Sequence, residues 1–158
     1  MQKIVIDTNL LTSVFRHNAS QILQAIAANA SPLIVSVSIH ELLRNPYYLD
    51  MAKRSQLLAR VNKLKASRAI TVINPTESDW YNSAFLILND MKLSPAAYSH
   101  EHNTRTNQLR RISFDALILT TAATAGASIV TRNYAEFSRL RTSLSSAQVK
   151  IIDAKGIL

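Results

Sequence analysis

SFDALILTTAATAGASIVTRNYAEF, residues 113–137, decides the fold. From Phe114 to Ala125 the residues are almost continuously apolar and helical in character, with Ser113 placed to open the helix. Gly126 sits where a C-terminal helix cap belongs. Ser128 to Thr131 then reads as a buried strand, and Asn133 to Leu140 as a loop holding a short helix. A helix, a tight glycine turn and a short strand in that order make one repeat of an α/β chain.

Working outward, the same alternation recurs. Lys3 to Ile6 is an apolar run stopped by Asp7, and Asp7-Thr8-Asn9 signals a turn or helix start. Leu10, Leu11, Val14 and Phe15 follow at helical spacing, and residues 20–29 continue helically with Ile22, Leu23 and Ile26 on one face. Leu33 to Ser36 reads as a second strand after Pro32. Ser38 is expected to open a helix that runs to Arg44 and closes at Asn45-Pro46. Residues 51–66 form an amphipathic helix with Leu57, Leu58, Val61 and Leu64 inward. Ile70 to Ile73 is a third strand. Thr76 and Asp79 match a capping box for a helix over residues 77–89, and Ser94-Pro95 is a start signal for another. Residues 98–107 are polar and aperiodic. Val149 to Ile152 is a last strand. Short strands alternating with helices predict an α/β sandwich around a mostly parallel sheet, in one domain spanning 1–158.

The chain has 158 residues, 47% hydrophobic and 18% charged, enough for a folded core. It contains no cysteine, which excludes disulfides, thiolate chemistry and cysteine-bearing zinc sites. This composition fits a reducing compartment, and a cytoplasmic location is expected. No apolar run reaches membrane-spanning length. Only Gly126 and Gly156 are glycines, so a phosphate-cradling loop is absent and nucleotide-cofactor classes are disfavoured. The formal net charge is +8, from 18 Lys and Arg against 10 Asp and Glu, which favours a polyanionic partner such as nucleic acid. The basic residues fall in two groups. One runs through Lys53, Arg54, Arg60, Lys63, Lys65 and Arg68, and the other holds Arg105, Arg110, Arg111, Arg132, Arg139 and Arg141.

With so few acids, their positions are informative. Asp7 ends the first strand, at the edge where parallel sheets place ligands. Glu41 is in the helix after the second strand. Asp115 is expected in the first turn of its helix, and Asn133 and Glu136 follow the fourth strand. No local motif links them, so only folding gathers them. Carboxylates brought together repel unless a cation is present, and oxygen donors suit Mg²⁺ or Mn²⁺. The chemistry that follows is phosphodiester hydrolysis by an activated water. Thr8, Asn9, Ser38, Ser113 and Thr131 are candidates for orienting the carboxylates or a water. Arg110, Arg111 and Arg132 are candidates for holding a substrate backbone.

Each position has a plainer reading. Ser38 and Glu41 match a capping box, Asp115 suits a helix dipole, Asp7 can form an Asx turn, and Asn133 can cap the helix towards Glu136. The histidines give no zinc pattern. His40-Glu41 lacks a second histidine three or four positions on, His100, Glu101 and His102 do not share a helical face, and His17 reads as a surface residue.

VIDTNLL at 5–11, SVSIHELLR at 36–44 and SFDALILTTAATAGASIVTRNYAEF at 113–137, followed by a terminal strand, together resemble a PIN domain, and most nearly the VapC-like toxins of bacterial toxin–antitoxin pairs. The resemblance spans nearly the whole chain. It implies a three-layer α/β/α sandwich and a Mg²⁺- or Mn²⁺-dependent endoribonuclease. Asp7, Glu41 and Asp115 match the three invariant acids of that family, Asn133 falls on its fourth position, often aspartate, and Glu136 stands ready to supply the missing carboxylate. It also implies a homodimer and a cognate antitoxin; the basic groups in turn suggest residues 51–66 and 98–111 as walls of a groove for antitoxin or RNA. Two other readings stay open: a non-catalytic RNA-binding protein that kept the fold, with Asn133 in place of an acid, and a structure-specific DNA nuclease.

Overall fold

Five strands form one parallel sheet in the order β3-β2-β1-β4-β5. The structure is a computed structural model and describes residues 1–16, 20–98, 102–144 and 149–156. In chain order its elements are β1 (Gln2–Ile6), α1 (Thr8–Arg16), α2 (Ser20–Ala27), β2 (Ala30–Val35), α3 (Ser36–Leu43), α4 (Met51–Ala66), β3 (Thr71–Ile73), α5 (Glu77–Leu93), α6 (His102–Thr124), β4 (Ser128–Thr131), α7 (Tyr134–Ser143) and β5 (Ile151–Asp153). Short 3-10 turns cover Pro46–Leu49, Pro95–Tyr98 and Ala154–Gly156.

The strands are apolar on both sides because both sheet faces are covered. Along β1, Ile4 and Ile6 enter one core with Leu10, Leu11, Val14, Leu57 and Val61, while Val5 between them enters the other with Ile112, Leu119 and Phe137. Ile34 and Val130 follow the first face, and Leu33, Val35 and Ile129 the second. This two-residue alternation places α1, α2 and α4 on one side and α5, α6 and α7 on the other, giving the α/β/α sandwich.

The strand order also fixes where a site can lie. The chain fills the sheet on one side of β1 with β2 and β3, then crosses to the other side with β4 and β5. The switch point therefore falls between the C-terminal ends of β1 and β4, where a crevice opens in such sheets.

Several local expectations hold. The capping box at Thr76 and Asp79 is formed, α4 covers residues 51–66, and Gly126 turns the chain out of α6 with φ +64. That φ is open to glycine at no steric cost. Others need correction. Ser38 does not open a helix: α3 begins at Ser36, its N-cap is Val35, and no side chain caps it. Ser113 does not open one either. It lies inside the 23-residue α6, where its Oγ donates to the Leu109 carbonyl at 2.6 Å, a bond that lets serine sit within a helix. Asp115 is therefore deep in α6 and not in its first turn. The helix continues through the polar, aperiodic residues before it, because elongation from a formed helix is much easier than nucleation.

Smaller departures have similar causes. β2 starts at Ala30 and contains Pro32, which precedes the stretch paired to β3, so no ladder bond on that side is lost there. Ser94-Pro95 starts only a 3-10 turn. α5 runs on to Leu93, Leu58 is 40% exposed, and β5 lies at Ile151–Asp153. His17, His100 and Glu101 lie outside the described residues, as do the side chains of His102 and Arg105. Among the described residues, no helix is long and apolar enough to cross a membrane.

Candidate functional site

Asp7 stands at the switch point. Its backbone N–H donates to the Val130 carbonyl at 3.1 Å, which extends the β1–β4 register by one residue. The side chain is 1% exposed. Oδ1 accepts from the Thr8 backbone N–H at 2.6 Å, and Oδ2 accepts from Thr131 Oγ1 at 2.8 Å. Thr131, the last residue of β4, accepts in turn from the Asn133 backbone N–H at 2.8 Å. A donor already aimed at its oxygen leaves the Thr131 hydroxyl proton for Asp7, so the end of β4 fixes the carboxylate that ends β1.

Burial is the largest influence on the Asp7 carboxyl and pushes its pKa up to about 6. The bonds from Thr131, Thr8 and the Asn9 backbone work against that rise, and the charge of Glu41 adds to it. Asp115, also buried, has its pKa raised well above the usual carboxylate range. Burial again comes first, followed by the charges of Asp7, Glu136 and Glu41, with Arg111 opposing. Charges from the end of β1, from α3 and from α7 thus converge on Asp115 in α6.

Two of the four carry a buried oxygen without a hydrogen-bond partner. Glu41 Oε2 is one and Glu136 Oε1 is the other. The other Glu136 oxygen, Oε2, accepts from Asn133 Nδ2 at 2.7 Å and from Arg111 Nη2 at 3.3 Å. Asn133 occupies the N-cap position of α7 but makes no side-chain cap there. Its amide is engaged with Glu136 instead. Thr8 Oγ1 and Ser38 Oγ are likewise buried and unpartnered. Unmet acceptors cost stability when buried, and an all-oxygen set with surplus negative charge suits a hard divalent cation. Among the described residues, however, no three His, Asp or Glu side chains stand in an arrangement that grips an ion. The carboxylates share an electrostatic field without forming a closed cage.

An open cleft of about 390 Å³ adjoins the acids, lined by Thr8, Asn9, Glu41, Arg44, Arg110 and Arg111 among others. Arg110 and Arg111 both line this cleft. Arg132 is exposed and does not line this cleft; its Nη1 donates to Ser13 Oγ at 2.7 Å. Ser113 is exposed, with its hydroxyl engaged within α6. The sequence reading missed Arg44 and Phe114, which also line the cleft. The only available signals were their positions beside Glu41 and Asp115.

The chain matches no protein-family model, and no curated protein sequence matches it. Among solved structures, the fold is similar to a chain of DNA-bound VapBC from Salmonella typhimurium, with TM-score 0.62 and 18% identity over 97% of this chain and 98% of that one. It is similar to VapBC2 from Rickettsia felis bound to a promoter DNA fragment, with TM-score 0.58 and 16% identity over 96% and 98%. It is also similar to FitAB bound to the IR36 DNA fragment, with TM-score 0.54 and 15% identity over 95% and 94%. Over nearly its whole length, the chain has the PIN-like α/β/α fold found in these VapBC and FitAB structures.

Proposed function

We propose that this protein is a Mg²⁺- or Mn²⁺-dependent endoribonuclease that acts as the toxin of a toxin–antitoxin pair. The observation that carries the reading is the gathering of Asp7, Glu41, Asp115 and Glu136 from four distant elements at the sheet's switch point, with buried carboxylate oxygens left unmet. Structural acids do not need this arrangement. Asp7, Glu41 and Asp115 would hold the cation, with Glu136 in support. The chemistry a divalent cation supplies there is activation of a water and neutralisation of charge on the leaving oxygen. Thr131 and the Thr8 N–H hold Asp7 in a fixed orientation. Asn133 and Arg111 hold Glu136 and restrain its charge. Arg110 and Arg111 line the cleft as contacts for the substrate phosphates.

By the same family likeness, we propose a homodimer, a cognate antitoxin as partner and a cytoplasmic location. The test is cleavage of a defined RNA pool by wild type and Asp7→Asn, with and without Mn²⁺. Metal-dependent cutting by wild type alone is expected. Equal cutting by folded Asp7→Asn protein ends the assignment.

One observation favours a second reading, a fold retained for RNA binding without catalysis. The described acids form no ion-gripping trio, and Asn133 replaces a charge beside Glu136. Retained RNA binding without Mg²⁺- or Mn²⁺-dependent cleavage of any RNA pool would select it.

A further inference from the structure

We propose that the cavity where α3, α5 and α6 meet is a base-stacking subsite, taking one unpaired nucleobase of an RNA strand that continues into the acid-lined cleft. The inference rests on the ribonuclease reading and adds to it a place where the strand is gripped through a base. The cavity has a volume of about 610 Å³ and is lined by Val37, His40, Arg44, Trp80, Arg110 and Phe114, with two serines. That volume falls within the roughly 300–1,000 Å³ of pockets that hold small organic groups.

Its chemistry is specific. Flat rings come from three elements: His40 on α3, Trp80 on α5 and Phe114 on α6. The His40 and Phe114 rings lie 6.1 Å apart, and the Arg44 guanidinium sits 5.7 Å from the Phe114 centroid. Trp80 is 54% exposed, so its indole face is open to a stacking partner. None of the lining residues is acidic, and among the described residues neither Arg44 nor Arg110 makes an ion pair. Aromatic faces beside unpaired arginines match what single-stranded nucleic acid offers, a flat base next to a phosphate.

Position supports this occupant over a protein segment. Arg44, Arg110 and Phe114 line both this cavity and the cleft holding Glu41 and Thr8. A strand with a base in the first and its backbone over the second spans both without crossing an acidic wall. A paired base is already stacked in its helix, so the subsite selects single strands or loops.

Trp80 is the chain's one tryptophan, so its fluorescence reports the cavity directly. The experiment titrates the full chain, with EDTA to prevent cutting, against a short single-stranded RNA, the same strand with one central abasic site, and a blunt RNA duplex. Labelled-strand anisotropy repeats the titration for Trp80→Ala, Trp80→Phe, Phe114→Leu and Arg44→Ala, each checked for folding by its melting transition. The expected result is quenching by the single strand and about tenfold weaker binding of the abasic strand and of Trp80→Ala. Binding is restored in Trp80→Phe. Equal quenching by single strand and duplex, no quenching by either, or Trp80→Ala binding within twofold of wild type overturns the proposal. A subsequent Mn²⁺ cleavage assay separates the two claims. Base-dependent quenching without cutting sinks the nuclease and leaves the subsite. Cutting with unchanged Trp80→Ala binding sinks only the subsite.

Discussion

Asp90 and Asp7 are both acids inside the same fold, yet their surroundings are opposite. Asp90, on α5, is fully buried and saturated with donors. Tyr98 Oη donates at 2.5 Å, Arg139 Nε at 3.1 Å, Arg139 Nη2 pairs at 3.0 Å and Ser143 Oγ donates at 3.2 Å. Asp79 is similar, with Thr76 on one oxygen and Thr124 Oγ1 on the other at 2.6 Å. At the sheet edge Asp7 has its two donors, but it and Asp115 also lie beside other carboxylates, and Glu41 and Glu136 each keep a buried oxygen with no hydrogen-bond partner. A buried acid with a full set of donors ties helices together. Acids buried beside one another resist ionisation and stabilise a fold only if something cationic joins them. Neither burial nor donor count separates the two roles, since Asp7 also has a donor on each oxygen; the charge of the neighbours does, an arginine beside Asp90 and carboxylates beside Asp7 and Asp115.

Exchanging the two acids for neutral residues is the sharpest way to break this comparison. Asp7→Asn is expected to lower Mn²⁺-dependent RNA cleavage by at least about a hundredfold, the upper end of what losing a supporting partner of a metal site costs. Its melting temperature without metal should equal or exceed that of wild type. Asp90→Ala should do the reverse. It strands the partly buried Arg139 and is expected to cost about 3–5 kcal/mol in urea unfolding, with cleavage per folded molecule unchanged. If both variants lose stability alike, the two regions do not differ as described.

Added Mn²⁺ should raise the wild-type melting temperature, by about 2.7 kcal/mol of stabilisation at a hundred times its dissociation constant. Asp7→Asn should respond much less. The pH dependence has a definite sign. The Asp7 pKa is about 6 when folded, against 3.8 as its ordinary value, so the folded state holds this proton more tightly. Stability from this group is full below pH 3.8 and is lost as pH rises through about 6. Metal-free wild type should therefore melt at a lower temperature at pH 7.5 than at pH 5.5, and Asp7→Asn should flatten that slope. The smallest effect belongs to Thr131→Val, which removes one donor to Asp7 and one acceptor for Asn133. A loss of about 1 kcal/mol is expected, measured by thermal unfolding.

How far the sequence could be read follows from the range of the forces involved. The β1 and β4 runs, the Thr76 cap and the Gly126 turn depend on neighbours a few residues away, and all were legible. The acids at the strand ends could be singled out because an apolar run stopped by a charge is a local pattern. The Ser38–Glu41 and Ser113–Asp115 spacings misled for the same reason. Both imitate helix starts, but α3 begins earlier under the packing of β2, and α6 was already formed. The Asp90 network was invisible because its four members lie at positions 90, 98, 139 and 143, with no shared pattern. Arg44 and Phe114 became visible only when α3 and α6 were brought side by side.

The bond from Thr131 to Asp7 bridges 124 positions of sequence. A nascent chain on the ribosome has the first acid from the start, but it lacks the strand that orients it until residue 131 has emerged. In the folded sheet β4 is the strand that pairs the side of β1 away from β2, so a chain without Ile129 and Val130 has nothing to pair there. Early termination anywhere before β4 therefore yields a polypeptide with no assembled acid edge. For a protein of the proposed activity, the order of synthesis is itself a safeguard for the cell that makes it.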